Sequence, residues 1–430
     1  MLKRSNLIHL GAHPFVLLTR LVRVFSYLAW PVLAPLAKIR RWQIRDSTSL
    51  VAVVGSFGKT TTTRAVGVAL NCSTVSGRNS WSYLALGILQ LERNQKFAAL
   101  EAAIARRGQM RRYARLIKPD ITVVTSVGSE HLLSMKSLEG IRREKSEMVA
   151  AVEFGGVVIL NGDDPNVLWM KNRAVAEVVT YGFGEQNSVR ASDCRINWPS
   201  GTQFRVHTAT GIWEVQLGLI GNTMVYPALA AIAVGMSKGI QMETILTRLK
   251  ELKPAPGRLE PMRLSSGAWA LRDDHKSGIE TIHAAVSTLR QIEAPRRIAV
   301  LGDITEEIGS VRPVYRELGA ELGEVVDLLM LTGRYARSIG VGARMAGMPS
   351  ESVIDCHKDI FKASEILGAY LQEGDVVLLK GRFEQRLRRV ALMLAGETVN
   401  CRLKTCTVKG LHCESCAARV KGWPANVTGI

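Results

Sequence analysis

The sequence predicts an α/β protein built from two successive open-sheet units. Short apolar runs with the length of buried strands alternate with amphipathic helical stretches. Val51–Val54 run into the glycine loop Gly55–Gly58 and then a helix, and the same strand, turn and helix rhythm returns at Ile121–Thr125 and Val157–Leu160. A second set of runs, Arg297–Leu301, Asp327–Leu331 and Val376–Leu379, alternates with helical patterns at Glu280–Gln291, Val314–Gly323 and Lys358–Leu371. At 430 residues, 47% hydrophobic and 22% charged, the chain is too long for one core and too apolar to be disordered.

Four regions follow from composition: an apolar, basic segment 1–48, a central unit 49–256, a second unit 257–397 and a cysteine-containing tail 398–430. From Phe15 to Ala37 the chain is mostly apolar, but Arg20 and Arg23 interrupt it, and Pro31 and Pro35 are expected to break any long helix. The uncharged run Val24–Ala37 is too short to span a bilayer. Basic flanks at Lys3, Arg4, Lys38, Arg40, Arg41 and Arg45, with Tyr27, Trp30 and Trp42, suit a helix lying in a membrane interface. A helical hairpin packed on the body of the protein fits the same residues.

The net charge of +18, crowded into the first 45 residues and into Arg382–Arg389, calls for an anionic partner. No recognition-helix or RNA-binding signature is present, so an acidic small substrate or an anionic membrane face is expected rather than nucleic acid. Seven cysteines and no secretory cleavage pattern argue for a reduced, cytosolic chain.

The central unit carries its chemistry first in VAVVGSFGKTTTTR, Val51–Arg64. Gly55 and Gly58 bend the backbone so that amides, including those of Ser56 and Thr61, can surround a phosphate. Lys59 adds a point charge and Thr60 a hydroxyl for Mg²⁺, and the helix that follows turns its positive end to the same anion. Only Ser56 and Phe57 separate the glycines, where the usual P-loop has four residues. Further along, Glu101 ends an apolar run, Thr125 and Ser126 end a strand ahead of His131, and Lys145 follows on a helix. Leu217–Ile220 reads as a strand, Ala228–Gly235 and Met242–Glu251 as helices, and Lys253–Glu260 as a linker with a functional arginine, Arg258. Asp273 and Asp274 close the apolar stretch Ala268–Leu271. Singly, each of these polar residues reads equally well as an exposed acid, a helix-facing histidine or a solvated lysine.

Their order is more specific than any one of them. The phosphate loop, the Glu101 patch, the strand with Ser126 and His131, NGDDP at Asn161–Pro165, PGRLE at Pro256–Glu260, DD at Asp273–Asp274, LGD at Leu301–Asp303 and KG at Lys380–Gly381 together resemble the Mur ligase superfamily over residues 50 to 395. The branch most resembled joins D-alanyl-D-alanine to the muramoyl tripeptide. The resemblance implies a central P-loop ATPase domain, a C-terminal Rossmann-like domain that closes over the nucleotide, and an ATP- and Mg²⁺-dependent ligase. Such an enzyme passes a carboxylate through an acyl phosphate to an amine, in cell-wall peptide synthesis. By that likeness Thr60 and Glu101 ligate a first Mg²⁺ and His131 a second. Lys145 is either a carbamylated, metal-orienting anion or a plain phosphate clamp. Arg258 reaches ATP, Asp273 and Asp274 line the ribose or the amine, and Lys380 and Arg382 contact the acceptor's carboxylate.

The sequence departs from the family at several positions. The 50 residues before the loop are shorter than the family's sugar-nucleotide domain, which argues against a UDP-muramoyl substrate. Thr223, Met224 and Pro227 replace the family's adenine contacts, and His275–Gly278 replaces its Tyr-Asn-Ala-Asn-Pro, pointing to a different amine. Phe57 and Ser126 stand where it has asparagine. Retention of Lys59, Thr60, Glu101, His131, Lys145 and Arg258 favours an active enzyme. A folate- or polyglutamate-type ligase and a nucleotide-regulated binding protein are the alternatives. In the tail, Thr407–Gly422 resembles the opening of a heavy-metal-associated domain, in which Cys413 and Cys416 hold a soft ion. A four-thiolate zinc site with Cys401 and Cys406 and an unliganded tail are the other readings.

Overall fold

A computed structural model describes residues 28–75, 79, 81–305, 311–406, 408 and 412–422. They form two compact units that part between Ala255 and Pro256. In the first, α1 (Trp30–Gln43) precedes β1 (Ser49–Val54), and α2 (Lys59–Leu70) leads to the short β2 (Ser73–Val75). Next come α3 (Ser82–Leu89), β3 (Phe97–Glu101), α4 (Gln109–Ile117), β4 (Ile121–Val124), α5 (Leu138–Val149) and β5 (Val157–Asn161). Strands β6 (Glu177–Gly182), β7 (Val189–Asn197), β8 (Gly201–Thr208) and β9 (Gly211–Leu217) precede α6 (Val225–Ser237) and α7 (Met242–Lys250).

The nine strands lie in the order β2-β3-β1-β4-β5-β6-β7-β8-β9. Strands β1 to β7 pair in parallel, and β8 and β9 continue the sheet antiparallel. Strand β1 is apolar throughout because both faces are covered. Val51 and Val53 pack with α2 and α6, while Leu50, Ala52 and Val54 pack with the layer of α1, α3, α4 and α5. Leu50 and each of the valines contribute about 1.5–3 kcal/mol by burial. The expected strand at Leu217–Ile220 instead ends at Leu217, the last residue of β9. Strands β7 to β9 escape sequence reading because one face is exposed and their polar residues alternate with apolar ones.

The second unit has six strands, β10 (Glu260–Arg263), β11 (Trp269–Asp273), β12 (Arg297–Leu301), β13 (Leu328–Leu331), β14 (Val353–Asp355) and β15 (Val376–Lys380). Their order is β10-β11-β15-β12-β13-β14, parallel except for β10. Helices α8 (Ile279–Gln291), α9 (Val311–Gly323), α10 (Ala336–Met345), α11 (Ile360–Tyr370) and α12 (Arg388–Leu394) accompany this sheet.

Proline does not break α1. Pro31 sits in its first turn, where no amide is needed, and Pro35 lies inside the helix. Nor does Arg41 face outward as a basic flank. It is buried, donating to the carbonyls of Ile117 (3.0 Å) and Lys118 (2.9 Å) and to Asp120 (2.7 Å), so it caps the C-terminus of α4. Residues 1–27 lie outside the described residues. No helix among the described residues is long and apolar enough to cross a membrane.

The arginines of the second unit's basic run also turn inward. Arg386, Arg388 and Arg389 are buried, and Arg389 donates to the carbonyls of Cys401 (2.8 Å) and Leu403 (2.6 Å). They hold the tail against the unit rather than forming an anionic-partner patch.

Candidate active site

The C-terminal end of β1 opens into the phosphate loop. At Gly55 (φ 151°) a Cβ would stand 1.9 Å from Thr125 Oγ1, so only glycine lets the loop pass strand β4. Gly58 (φ 78°) is the left-handed N-cap of α2, and that helix has neither a side-chain cap nor an acid in its first turn. A helix end with no side-chain cap and no acid of its own suits an anion. Ser126 fixes the loop: its Oγ accepts from Phe57 N at 2.9 Å and its carbonyl from Ser56 N at 2.8 Å. Serine at 126 thus anchors the loop backbone directly.

Lys59 is 5% exposed and its Nζ donates to the carbonyls of Gly55 (2.8 Å) and Ser56 (2.7 Å), with Glu130 at 3.3 Å. Sequence reading overlooked Glu130, although it directly precedes His131 in the same turn. The Thr60 hydroxyl donates to Glu101 Oε2 at 2.8 Å, and Asn79 donates to Oε1 at 2.6 Å. Glu101 is thereby fixed at the end of β3 with its carboxylate beside the loop. Nothing in the sequence around Asn79 signalled this contact. From α5, Lys145 crosses to donate to Ser56 Oγ at 3.1 Å and is 1% exposed. His131 takes a left-handed backbone (φ 69°), and its Nε2 lies 3.9 Å from Glu130. Thr61 is buried in the first turn of α2.

The residues fit ATP with Mg²⁺. The open helix end and Lys59 suit a phosphate chain, and a hydroxyl beside a carboxylate is the hard-oxygen pair that Mg²⁺ prefers. Among the described residues no group of three or more His, Cys, Asp or Glu side chains could hold a metal alone. Phosphate oxygens and water would complete the coordination.

In the second unit, Asp273 ends β11, Asp274 follows it, and the two point to different partners. Asp273 accepts from Lys380 Nζ at 2.5 Å, and Lys380, 1% exposed, also donates to the Lys276 carbonyl at 2.7 Å. Lys380 therefore braces the loop after β11 and does not stand open for an acceptor's carboxylate. Arg382 is more exposed and lies 3.7 Å from Glu384. Asp274 is fully enclosed, 3.5 Å from Arg388 and 3.9 Å from Arg272, so it does not line a ribose or amine pocket as expected. Glu414 of the tail completes this cluster, 3.0 Å from Arg272 and 3.6 Å from Arg388. Arg258 is close enough to shift Asp273, His275 and Lys380 electrostatically.

Burial, and after it the Arg258 and Arg388 charges, depress His275 to about 2. The unfolded chain thus binds a proton near pH 6.5 that the folded chain refuses. Stability is full above that value and falls as pH drops toward 2. Lowering pH from 7.5 to 5 is expected to cost about 1–2 kcal/mol through this residue. Chemical denaturation at the two pH values checks this, and His275→Gln should flatten the difference.

In the tail, Cys413 opens a single helical turn and Cys416 follows it. Burial pushes the Cys413 thiol up to about 11, and among the described residues no group of three or more His, Cys, Asp or Glu side chains could hold a metal, so the four-thiolate zinc reading is not met there. Cys401 is buried beneath Arg389. Thr407 and Lys409–Leu411, part of the heavy-metal-like stretch, lie outside the described residues.

Residues 53–235 match the Mur ligase middle domain and residues 257–383 the Mur ligase glutamate ligase domain. The chain is 27% identical over 351 residues to the UDP-N-acetylmuramoyl-tripeptide–D-alanyl-D-alanine ligase of Bacillus subtilis, covering 80% of this chain and 75% of that protein. In fold it is similar to MurF of Acinetobacter baumannii (TM-score 0.76, 23% identity, 86% and 81% of the two chains). It is equally similar to MurF of Thermotoga maritima in complex with ADP (TM-score 0.76, 24% identity, 86% and 84%).

Proposed function

Because this chain belongs to the Mur ligase family and is an ATP- and Mg²⁺-dependent amide-bond-forming ligase, we propose that it joins a peptide carboxylate to D-alanyl-D-alanine during cell-wall peptide synthesis. The observation that supports the site is the convergence of Lys59, Thr60, Glu101 and Lys145 on the stretch Gly55–Thr60, with Thr60 and Glu101 2.8 Å apart. The folate- or polyglutamate-type and non-catalytic alternatives are not favoured, since the curated relative named above bears the peptide-ligase name.

A carboxylate is a poor acylating agent, so its oxygen first takes the γ-phosphoryl group and the amine then displaces phosphate. Both steps gather negative charge, and neutralising that charge is the main task of the protein. Lys59 holds the β/γ-phosphates by exchanging its loop carbonyls for phosphate oxygens. Thr60 and Glu101 would hold Mg²⁺, which screens the same oxygens. Lys145 acts beside Ser56 as a phosphate clamp or, carbamylated, as an orienting anion. His131, with Glu130 beside it, would hold a second cation. Arg258 lends its charge to the nucleotide, Asp273 accepts from the amine side, and Arg382 meets the acceptor's carboxylate.

On this reading the enzyme works in the cytoplasm, and residues 1–45 are the segment proposed to touch the inner membrane face. The test is phosphate release from ATP and Mg²⁺ with D-alanyl-D-alanine and either a UDP-linked or a UDP-free muramoyl tripeptide. Release that needs acid and amine together is the expected result. Release with an amino acid but not with the dipeptide would overturn the assignment of the amine.

A further inference from the structure

The opposite edge of the central sheet presents a second surface. Where Ser49, Phe97, Asp120 and Gly156 begin or precede their parallel strands, a depression of about 870 Å³ opens. It lies a strand length, roughly 20 Å, from the phosphate loop. Exposed Lys38, Arg45, Lys96, Arg115 and Lys118 line it. Three acids lie there: Asp120 is held by Arg41, Glu153 pairs with Arg45 at 2.9 Å, and Asp46 is exposed, against the cations Lys38, Lys96, Arg115 and Lys118. Two aromatic rings stand at its lip, Trp42 at 75% exposure and Phe154 at 95%.

The lip continues into an apolar stripe on α1. Ala34, Ala37 and Arg41 face the protein, whereas Val32, Leu36, Ile39 and Trp42, with Leu28 just ahead of the helix, are exposed at helical spacing. Large side chains left outward in a row mark an interaction surface. Aliphatic residues, a tryptophan and a ring of lysines and arginines are together what a headgroup layer accepts. The sequence leading into α1 continues the same chemistry, with Lys3, Arg4, Arg20 and Arg23 around apolar residues.

We propose that this basic depression, with Trp42 and Phe154 at its lip and the stripe of α1 beside it, is a docking surface for an anionic phospholipid bilayer. The proposal rests on the membrane-face placement above and extends it from the N-terminal segment to Lys96, Arg115, Lys118 and Phe154 of the central unit. Docked this way, the phosphate loop stands at the far edge of the sheet, open to water-borne nucleotide.

The test is co-sedimentation of the full chain with phosphatidylcholine vesicles with and without phosphatidylglycerol. Binding is expected only with phosphatidylglycerol, weakened by high salt. Lys96→Glu with Lys118→Glu should lower the partition by about tenfold or more, at roughly 1 kcal/mol per cation near such a surface. Trp42→Ala with Phe154→Ala should lower it as well, with ATP-dependent phosphate release unchanged in both pairs. Wild-type binding by both pairs would overturn the surface and leave residues 1–27 as the only anchor. Competition by free glycerol phosphate would make it a small-anion site, and a shift in oligomeric state without vesicle binding would make the stripe a contact between two copies. Phosphate release followed in the same samples reports failure of the ligase reading separately.

Discussion

Lys59→Ala lowers ATP-dependent phosphate release by about 10³-fold, the scale of removing one well-placed charge from a phosphoryl-transfer site. The ammonium is 5% exposed and held by the Gly55 and Ser56 carbonyls, so it is fixed at the mouth of α2 before any phosphate arrives. Preorganisation of this kind makes one lysine worth several kcal/mol, because no reorganisation is left for the transition state. Glu130 is the other partner, at 3.3 Å, and loses its counter-charge in the variant. A modest loss of stability, read by thermal unfolding, is expected beside the large loss of rate. Steady-state phosphate release with both substrates saturating measures the rate. A loss below about fivefold, with ATP still bound, would mean that the loop amides hold the phosphates without Lys59.

Glu101→Gln raises the Mg²⁺ concentration needed for half-maximal activity by about tenfold or more and lowers the rate at saturating Mg²⁺ by about 10²-fold. Glutamine keeps the size of the side chain and one carbonyl oxygen for Thr60 or Asn79, but it removes the negative charge. A Mg²⁺ titration of activity therefore separates ligation from packing. If the Mg²⁺ dependence stays that of wild type while melting temperature falls, Glu101 only clamps Thr60 and Asn79. Should both stay unchanged, the hydroxyl of Thr60 carries the cation without its partner. The arrangement favours ligation, because Glu101 is 2% exposed with both oxygens already directed at loop-side donors.

Local sequence was sufficient for the strands buried on both faces, for most helices and for the phosphate loop. A strand buried on both faces must be apolar at every position, and Val51–Val54 is such a run. A backbone that must pass Thr125 closely and then cap a helix requires Gly55 and Gly58, and Lys59 and Thr60 follow them at a fixed offset. The helices Glu280–Gln291 and Val314–Gly323 announce themselves by period, and the first residue or few residues of each are all that the structure moves. Where contacts are long-range, the same reading lost direction. Arg41, Asp274, Lys380 and Arg386–Arg389 look like surface charges by type, yet each is buried because a partner distant in sequence neutralises it. Asp120 lies 79 residues from Arg41, and Asp273 lies 107 residues from Lys380. Nothing near Asn79 or Glu130 distinguishes them from any loop asparagine or glutamate.

By itself, then, the sequence determined the α/β class, the phosphate loop and the family, because these depend on residue type at short, fixed spacing. Only the tertiary structure decided which charges face a ligand, which lock the tail to its unit, and that the outer face of α1 stays apolar. Those outcomes depend on which side chains the crossovers of two sheets bring together, and burial of a charge is set by that partner rather than by its neighbours in the chain.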